Sequence, residues 1–343
     1  MTRLPGGKKE RRLGLMVSLP PHVHVREGTS AIMLDVVVAL LPALAVAVYF
    51  FGLRVMTLSL VSVCACVVLE LGYQTLLKKP ITAWDGSAMV TGLLLAMCLP
   101  VTIPYGLLLL GDAFAIIVVK QLYGGIGRNV FNPALCARAF LASFPVQLST
   151  FTSPTAYIPV WGHVDADAVA SATPLASLQA GKLPAEPLRY LFVGMTGGSM
   201  GETCALLLLL GGAFLVLRHV ISPRIPLSYL GTVALLTVLF PMGNDPVTWM
   251  LCQLFSGGLM LGAVFMATDY TTSPVTHGGQ IAYGIGCGVI TVLIRYFGAY
   301  PEGVCYAILI MNAFAWLLDR ALRPRRLGGR LRGLLGRKTE VRP

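Results

Sequence analysis

The sequence predicts an all-α polytopic membrane protein with about ten transmembrane segments, arranged as two inverted five-segment repeats. Three observations predict it. Of 343 residues, 56% are hydrophobic and 12% charged, with a mean hydropathy of +0.76, whereas a soluble domain carries roughly a quarter charged residues. Apolar runs recur along the chain, and several reach the roughly 20 residues that cross a bilayer. A shift of 174 positions lays Pro100-Val101-Thr102 on Pro274-Val275-Thr276, Tyr123-Gly124 on Phe297-Gly298, Val130 on Val304, and Ala139-Phe140 on Ala313-Phe314.

Taken in order, the chain opens on a basic tail, residues 1–27. A first membrane repeat, 28–146, has apolar segments at about 30–51, 54–77, 87–99, 104–120 and 129–146. A polar connection, 147–200, separates it from a second repeat, 201–320, with segments at about 201–219, 227–241, 249–267, 280–297 and 303–319. A second basic tail, 321–343, follows. The third segment is short and the eighth is interrupted by Gly257, Gly258 and Gly262, so a broken helix is in question at both. Five spans per unit, an odd number, turn the second copy upside down. Inverted repeats are common among transport-related folds, where function gathers at the repeat interface.

Charge orients the chain. Six of the 26 Lys and Arg fall in residues 1–26 and nine in 320–343. Basic flanks on an apolar body follow the positive-inside rule and place both termini in the cytoplasm. Lys78/Lys79, Lys120/Arg128 and Arg218/Arg224 fall in connections that ten spans put on the same side, and Arg54 is a lone exception. The connection 147–200 holds Lys182 and Arg189 against Asp165, Asp167 and Glu186, so it is expected outside. This placement explains the net charge of +11 without nucleic acid. It points instead to a multi-pass protein of a bacterial or archaeal cytoplasmic membrane, in contact with lipid. The first apolar run is too long for a cleaved signal sequence and is read as retained.

Cysteine and glycine patterns exclude further classes. The eight cysteines lie almost wholly inside apolar runs, with no C-x-x-C, and read as buried thiols acting as small hydrophobes. No metal site is expected, because His22 and His24 are the sole close pair of histidines. Walker A and strand-associated G-x-G-x-x-G sequences are absent, so ATP-driven transport and Rossmann binding lack support. Tyr123–Gly127 and Gly194–Gly201 are Gly-rich. Either could let backbone approach a ligand or let helices pack closely.

Ionisable residues in or beside the membrane are Asp35, Glu70, Asp85, Asp112, Arg138, Glu202, Asp269, Arg295, Glu302 and Asp319. Several lie at segment ends, where a long side chain reaches the interface cheaply. Arg138 stands near the middle of its segment, where an unpaired charge costs about 2.5–3.5 kcal/mol on insertion scales. It requires an anion, either a carboxylate or a ligand phosphate. Asn132-Pro133-Ala134 matches the water-channel tripeptide, but helix-start punctuation by Asn then Pro accounts for it. Thr173, in Asp167-Ala-Val-Ala-Ser171-Ala-Thr173-Pro174, is an acceptor hydroxyl among small residues within the polar connection. Its plain reading is a loop threonine capping a short helix from Pro174.

Six separated blocks in order resemble the RnfD/NqrB family. Its members are the D-type membrane component of the Rnf ion-translocating oxidoreductase complex and the related B-type component of the sodium-pumping NADH:quinone reductase. The blocks are Gly28–Asp35, Asp85–Gly92, Gly124–Ala134, Gly197–Thr203, Ala267–Thr276, and Tyr300–Gly303 with Met311-Asn312 behind it. The resemblance implies an FMN esterified through its phosphate to a threonine in a D-x-x-[ST]-x-A-T setting. Here that maps onto Asp167 and Ala172-Thr173, with Ala170 where a hydroxyl residue is frequent and Ser171 where glycine is common. It further implies attachment by a flavin transferase, partnership with the other Rnf subunits, and electron transfer between ferredoxin and NAD coupled to Na⁺ or H⁺ movement. A second, non-covalent flavin is also implied. No catalytic residue is expected in this chain alone; Arg138 is a further candidate flavin contact, and Asp35, Asp85 and Asp269 are candidates for the ion path. A small-solute channel or carrier on the same body, and a scaffold docking other redox subunits, are the competing readings.

Overall fold

The computed structural model describes residues 28–323 except 149, 155–158, 162–172, 185, 203, 244, 299 and 301. Among the described residues the protein is all-helical, without strands. The first half contains α1 (Thr29–Phe51), α2 (Leu53–Leu76), α3 (Ser87–Met97) and α4 (Tyr105–Ala113), which runs on as a π-helical segment, Phe114–Gln121. It closes with α5 (Pro133–Leu141) and a short α6 (Pro145–Leu148). Two short helices, α7 (Pro174–Gln179) and α8 (Leu188–Val193), lie in the polar connection. The second half contains α9 (Ala205–Leu217), α10 (Arg224–Leu239), α11 (Pro246–Phe255) and α12 (Leu259–Leu261), which continues as a π-helical segment, Gly262–Met266. It ends with α13 (His277–Phe297) and α14 (Val304–Ala321).

Among the described residues, α1, α2, α13 and α14 are long and apolar enough to cross a membrane. Helix α11 with the 259–266 helix makes a fifth candidate, bent by 67° at its break. The chain is therefore a multi-pass membrane protein, and α3, α9 and α10 are apolar helices of less than spanning length. Gly257 makes the bend: its φ of 72° lies where a side chain is strained.

Two half-length helices meet in the interior. At 1.5 Å per residue, the 11 residues of α3 cover about 16 Å, roughly half a hydrocarbon core. Its C-terminal Cys98 Sγ lies 3.8 Å from Sδ of Met266, the last residue of the other half-helix. Helix C-termini expose carbonyls that lipid cannot satisfy, and the N-cap and last turn of α5 supply the donors. Arg138 donates to Cys98 O at 2.5 Å, and Asn132 donates to Met266 O at 3.4 Å. Asn132 Oδ1 also accepts from Ala134 N and Leu135 N, with Pro133 at the first helical position. The tripeptide is thus a helix start whose amide also binds across to the second half.

Small residues set the close contacts. A Cβ on Gly92 of α3 would stand 2.8 Å from Ser62 O of α2. One on Gly288 of α13 would stand 2.7 Å from Thr232 Cβ of α10. Arg54, the lone basic residue expected on the far side, is buried instead. It donates to Val101 O (2.9 Å), Ile103 O (3.3 Å) and Pro159 O (2.8 Å), which pins part of the polar connection over the end of α2.

Candidate functional site

At the end of the bundle that carries the polar connection, Thr173 is half-buried with extended backbone (φ −78°, ψ 149°) and caps α7. Its Oγ1 accepts from Ala176 N at 3.2 Å, and Pro174 follows at the first helical position. Its own proton makes no hydrogen bond among the described residues. Leu175 and Leu178 bury against Leu191, Trp249 and Cys252, which fixes α7 on α11. Gln179 Nε2 donates to Gly298 O at 2.8 Å and ties the other end of α7 to the turn after α13. Asp167, Ala170 and Ser171, the rest of the expected attachment sequence, lie outside the described residues.

The ground beneath Thr173 is rich in charge. Leu175 Cδ2 lies 2.9 Å from the position of a Cβ on Gly257, where Arg295 Nη2 also lies at 3.1 Å. Arg295 is buried and donates to Gln253 O (2.5 Å), Gln253 Oε1 (3.0 Å) and Ser256 O (3.1 Å), the carbonyls left open where α11 ends. Arg138 pairs with the Glu302 carboxylate. Its need for an anion is thus met by that carboxylate, with the α3 carbonyl as a second acceptor. The pair lines a cavity that also takes in Phe151, Tyr300 and Tyr306.

A second cavity opens at the opposite end, where α1 begins. Thr91, Lys120, Asn129, Asn132, Thr268 and Asp269 give it polar walls among apolar ones. Asn129 is buried and its Oδ1 has no partner among the described residues. The three sequence candidates for the ion path meet different fates here. Asp269 borders the cavity while accepting from Thr271 N (3.3 Å) and Thr271 Oγ1 (2.9 Å). Asp85 accepts from Ser87 N (2.9 Å) and Ser87 Oγ (2.6 Å), so it acts on a cavity residue without lining the cavity itself. Asp35 turns away to Arg218, 3.1 Å off, at an exposed site.

Three ionisable residues gain a weight the sequence reading did not give them. Lys120, expected in a connection, is buried at 1% exposure, and Glu70 and Asp112 are at 0%. Lys120 Nζ lies 2.8 Å from Glu70 Oε2 and donates to Ser87 Oγ at 2.6 Å, while Gln121 Nε2 donates to Glu70 Oε1 at 2.7 Å. Asp112 Oδ1 accepts from Ser62 Oγ (2.6 Å) and Cys66 Sγ (3.3 Å). The signal was in the spacing: Ser59, Ser62, Cys66, Glu70 and Gln74 recur every three or four residues, one face of a helix.

Comparison with known proteins covers nearly the whole chain. Residues 16–328 match the model of the NQR2, RnfD, RnfE family. The chain is 49% identical over 320 residues to the D subunit of the Na⁺-translocating ferredoxin:NAD⁺ oxidoreductase complex of Acetobacterium woodii, covering 92% of this chain and 96% of that protein. It is 41% identical over 329 residues to the D subunit of the proton-translocating ferredoxin:NAD⁺ oxidoreductase complex of Clostridium ljungdahlii, with 92% and 96% covered. It is also 41% identical over 335 residues to the D subunit of the ion-translocating oxidoreductase complex of Stutzerimonas stutzeri, with 90% and 95% covered.

Proposed function

The chain belongs to the NQR2, RnfD, RnfE family, and from that premise we propose that it is the membrane subunit of an Rnf-type complex that relays electrons through FMN esterified to Thr173. In that complex it contributes to Na⁺ or H⁺ translocation coupled to ferredoxin:NAD electron transfer. The observation that carries the reading is 49% identity spread over nearly the full length of the Acetobacterium woodii relative. The other Rnf subunits are its partners and supply the ferredoxin and NAD sites.

The residues at Thr173 fit such a group. The hydroxyl is half-buried, so a flavin transferase can reach it, and its oxygen accepts one backbone hydrogen bond at 3.2 Å without donating among the described residues. Packing of α7 on α11 holds the attachment point fixed over the Gly257 bend. When bound, a flavin accepts two electrons and passes them on singly. Arg138 beside Tyr300 and Tyr306 is the candidate for a polar contact to it.

The topology proposed is ten spans in two inverted repeats, with both termini cytoplasmic and the 147–200 connection outside. The packing order supports it. α2 packs on α4 as α10 packs on α13, and α4 packs on α5 as α13 packs on α14. α3 lies between α2 and α5 as the 262–266 segment lies between α10 and α14. α1 meets α9 and α5 meets α14, as equivalent elements meet across a two-fold axis. Asp85 and Asp269 then stand at the cytoplasmic mouth of the ion path, with Asp35 beside it.

Flavin fluorescence of the denatured, gel-separated chain tests the reading, with the chain coexpressed with its transferase alongside Thr173→Ala. A fluorescent band that vanishes in the variant is expected. A dark wild-type band, with the transferase active on a control substrate, overturns the covalent assignment and favours a channel or a scaffold.

A further inference from the structure

The buried face of α2 is polar where a membrane helix has no need of it. Ser59, Ser62, Cys66, Glu70 and Gln74 are all buried, and they run along one side of the helix. That stripe extends over about 22 Å at 1.5 Å per residue. Facing it from α4 is Asp112, at 0% exposure. Its Oδ1 holds two donors, Ser62 Oγ and Cys66 Sγ, while its Oδ2 is buried with no partner among the described residues. Ser59 Oγ, one turn from Ser62, is likewise buried and unpartnered among the described residues.

An ionised carboxylate in this position lacks a counter-charge. The charged groups on the elements packed around it are Arg54 and Glu70 on α2, Lys120 at the end of the 114–121 segment and Arg138 on α5; Lys120 and Glu70 are occupied with each other at 2.8 Å, Arg54 with the carbonyls of Val101, Ile103 and Pro159, and Arg138 with Glu302. α3 contributes the Gly92 carbonyl, whose oxygen lies 2.9 Å from Ser62 Oγ, and no charge. Leaving a bare carboxylate in a dry interior is strongly unfavourable. The carboxylate must therefore hold a positive charge of its own on the free oxygen. The π-helical segment begins at Phe114, two residues beyond Asp112, and such segments occur frequently at functional sites.

We propose that Asp112 is an exchange site inside the membrane for the translocated cation, H⁺ or Na⁺. Ser62, the Gly92 carbonyl and Ser59 supply neighbouring oxygens. Binding adds one monovalent cation to Oδ2 and release removes it; no other bond changes. Access runs from the cavity at the α1 end, whose walls include Lys120 and Ser87. From there it follows the Glu70–Lys120 pair and then Cys66, one turn along α2 from Glu70. The inference rests on the reading of the chain as part of an ion-translocating complex and names the site within it.

The experiment uses the whole complex in inverted membrane vesicles, with cation uptake and electron transfer measured together. Flavin content and subunit assembly are measured on the same preparation. Asp112→Asn is expected to keep assembly and flavin while uptake falls to the level of passive leak. Asp112→Glu is expected to restore uptake with its half-saturating Na⁺ concentration moved by about tenfold, or its pH midpoint by about one unit. A Na⁺ shift identifies sodium as the occupant, and a pH shift without Na⁺ dependence identifies the proton. Wild-type uptake by Asp112→Asn overturns the proposal. If that variant fails to assemble, an Asp112→Glu complex with unaltered Na⁺ and pH dependence overturns it equally. A wild-type complex that transfers electrons but moves no cation overturns the underlying reading as well, and so separates the two failures.

Discussion

The α2–α4 contact in the first half and the α10–α13 contact in the second occupy matching places in the packing order, yet they are built from different chemistry. Between α10 and α13 the buried contact is neutral and close, and the charged Arg224 reaches Gln280 at its exposed end. Gly284 and Gly288 lie on Ser228, Thr232 and the α10 backbone, and Tyr229 shares a 2.6 Å hydrogen bond with Thr291. Arg295, the one Arg or Lys of α13, sits near the end of the helix and serves carbonyls of α11 and its C-cap. Between α2 and α4 the contact holds Glu70, Asp112 and Lys120, all buried. Small residues alone therefore suffice to seat a helix pair in this arrangement. The charges in the first half are not required by packing and carry a desolvation cost that hydrophobic side chains would avoid. That asymmetry is what the exchange site proposed at Asp112 requires of the first half.

The comparison breaks most visibly if one buried charge is removed alone. Lys120→Met leaves Glu70 in the interior with glutamine donors only, and breaking a buried pair this way costs about 3–5 kcal/mol. A large fall in the thermal midpoint of the detergent-solubilised complex is expected, with low yield. Lys120→Met with Glu70→Gln removes the buried ion pair from the first-half contact and leaves Asp112 as its one carboxylate. With the ion pair gone and Asp112 left in place, the double variant is expected to recover most of that loss while coupled uptake stays impaired. Full recovery of uptake in the double variant would show that the pair is structural after all.

The same comparison sharpens from the neutral side with Gly288→Val. Its new Cβ would stand 2.7 Å from Thr232 Cβ and 3.1 Å from Tyr229 O, the latter a backbone atom that cannot rotate away. A cost of about 1–3 kcal/mol is expected from the forced separation, read as a lower thermal midpoint. Cation affinity should be unmoved, since Asp112 lies in the other contact. A shift in the Na⁺ or pH dependence of uptake would show instead that the two halves are coupled through this interface.

The apolar runs were legible because bilayer thickness imposes length and composition together. Segments placed at 30–51 and 303–319 correspond to α1 (Thr29–Phe51) and α14 (Val304–Ala321), and glycines at 257 and 258 announced the break before α12. Thr173 and Pro174 signalled an N-cap that is present. The meeting of Cys98 and Met266 was not legible, because the two residues are 168 positions apart and neither side chain is unusual. Nor was the fate of Arg138: its need for an anion followed from its place in a span, but the choice of Glu302 depends on the turn before α14. Lys120 was misread because a charge near the end of an apolar run looks the same whether it reaches water or Glu70. Reading α2 for polar periodicity, rather than for the apolar periodicity that normally reports burial, would have separated the two.

Asp35 supplies the smallest expected effect and the cleanest control. It is a membrane carboxylate like Asp112, named by the same sequence reasoning, but its partner Arg218 is half exposed and pairs with it at 3.1 Å. Exposed pairs of this kind contribute about 0–1 kcal/mol, because water screens them and two side chains must be held still. Arg218→Ala is therefore expected to leave the thermal midpoint almost unchanged, and Asp35→Asn to leave it unchanged within the same range. If cation entry begins near Asp35, Asp35→Asn still slows uptake at low cation concentration, with the maximal rate preserved. An effect confined to low concentration fits a residue at the mouth of the path. Loss of the maximal rate would place Asp35 with Asp112 on the path itself and erase the distinction between a hydrated carboxylate and a dry one.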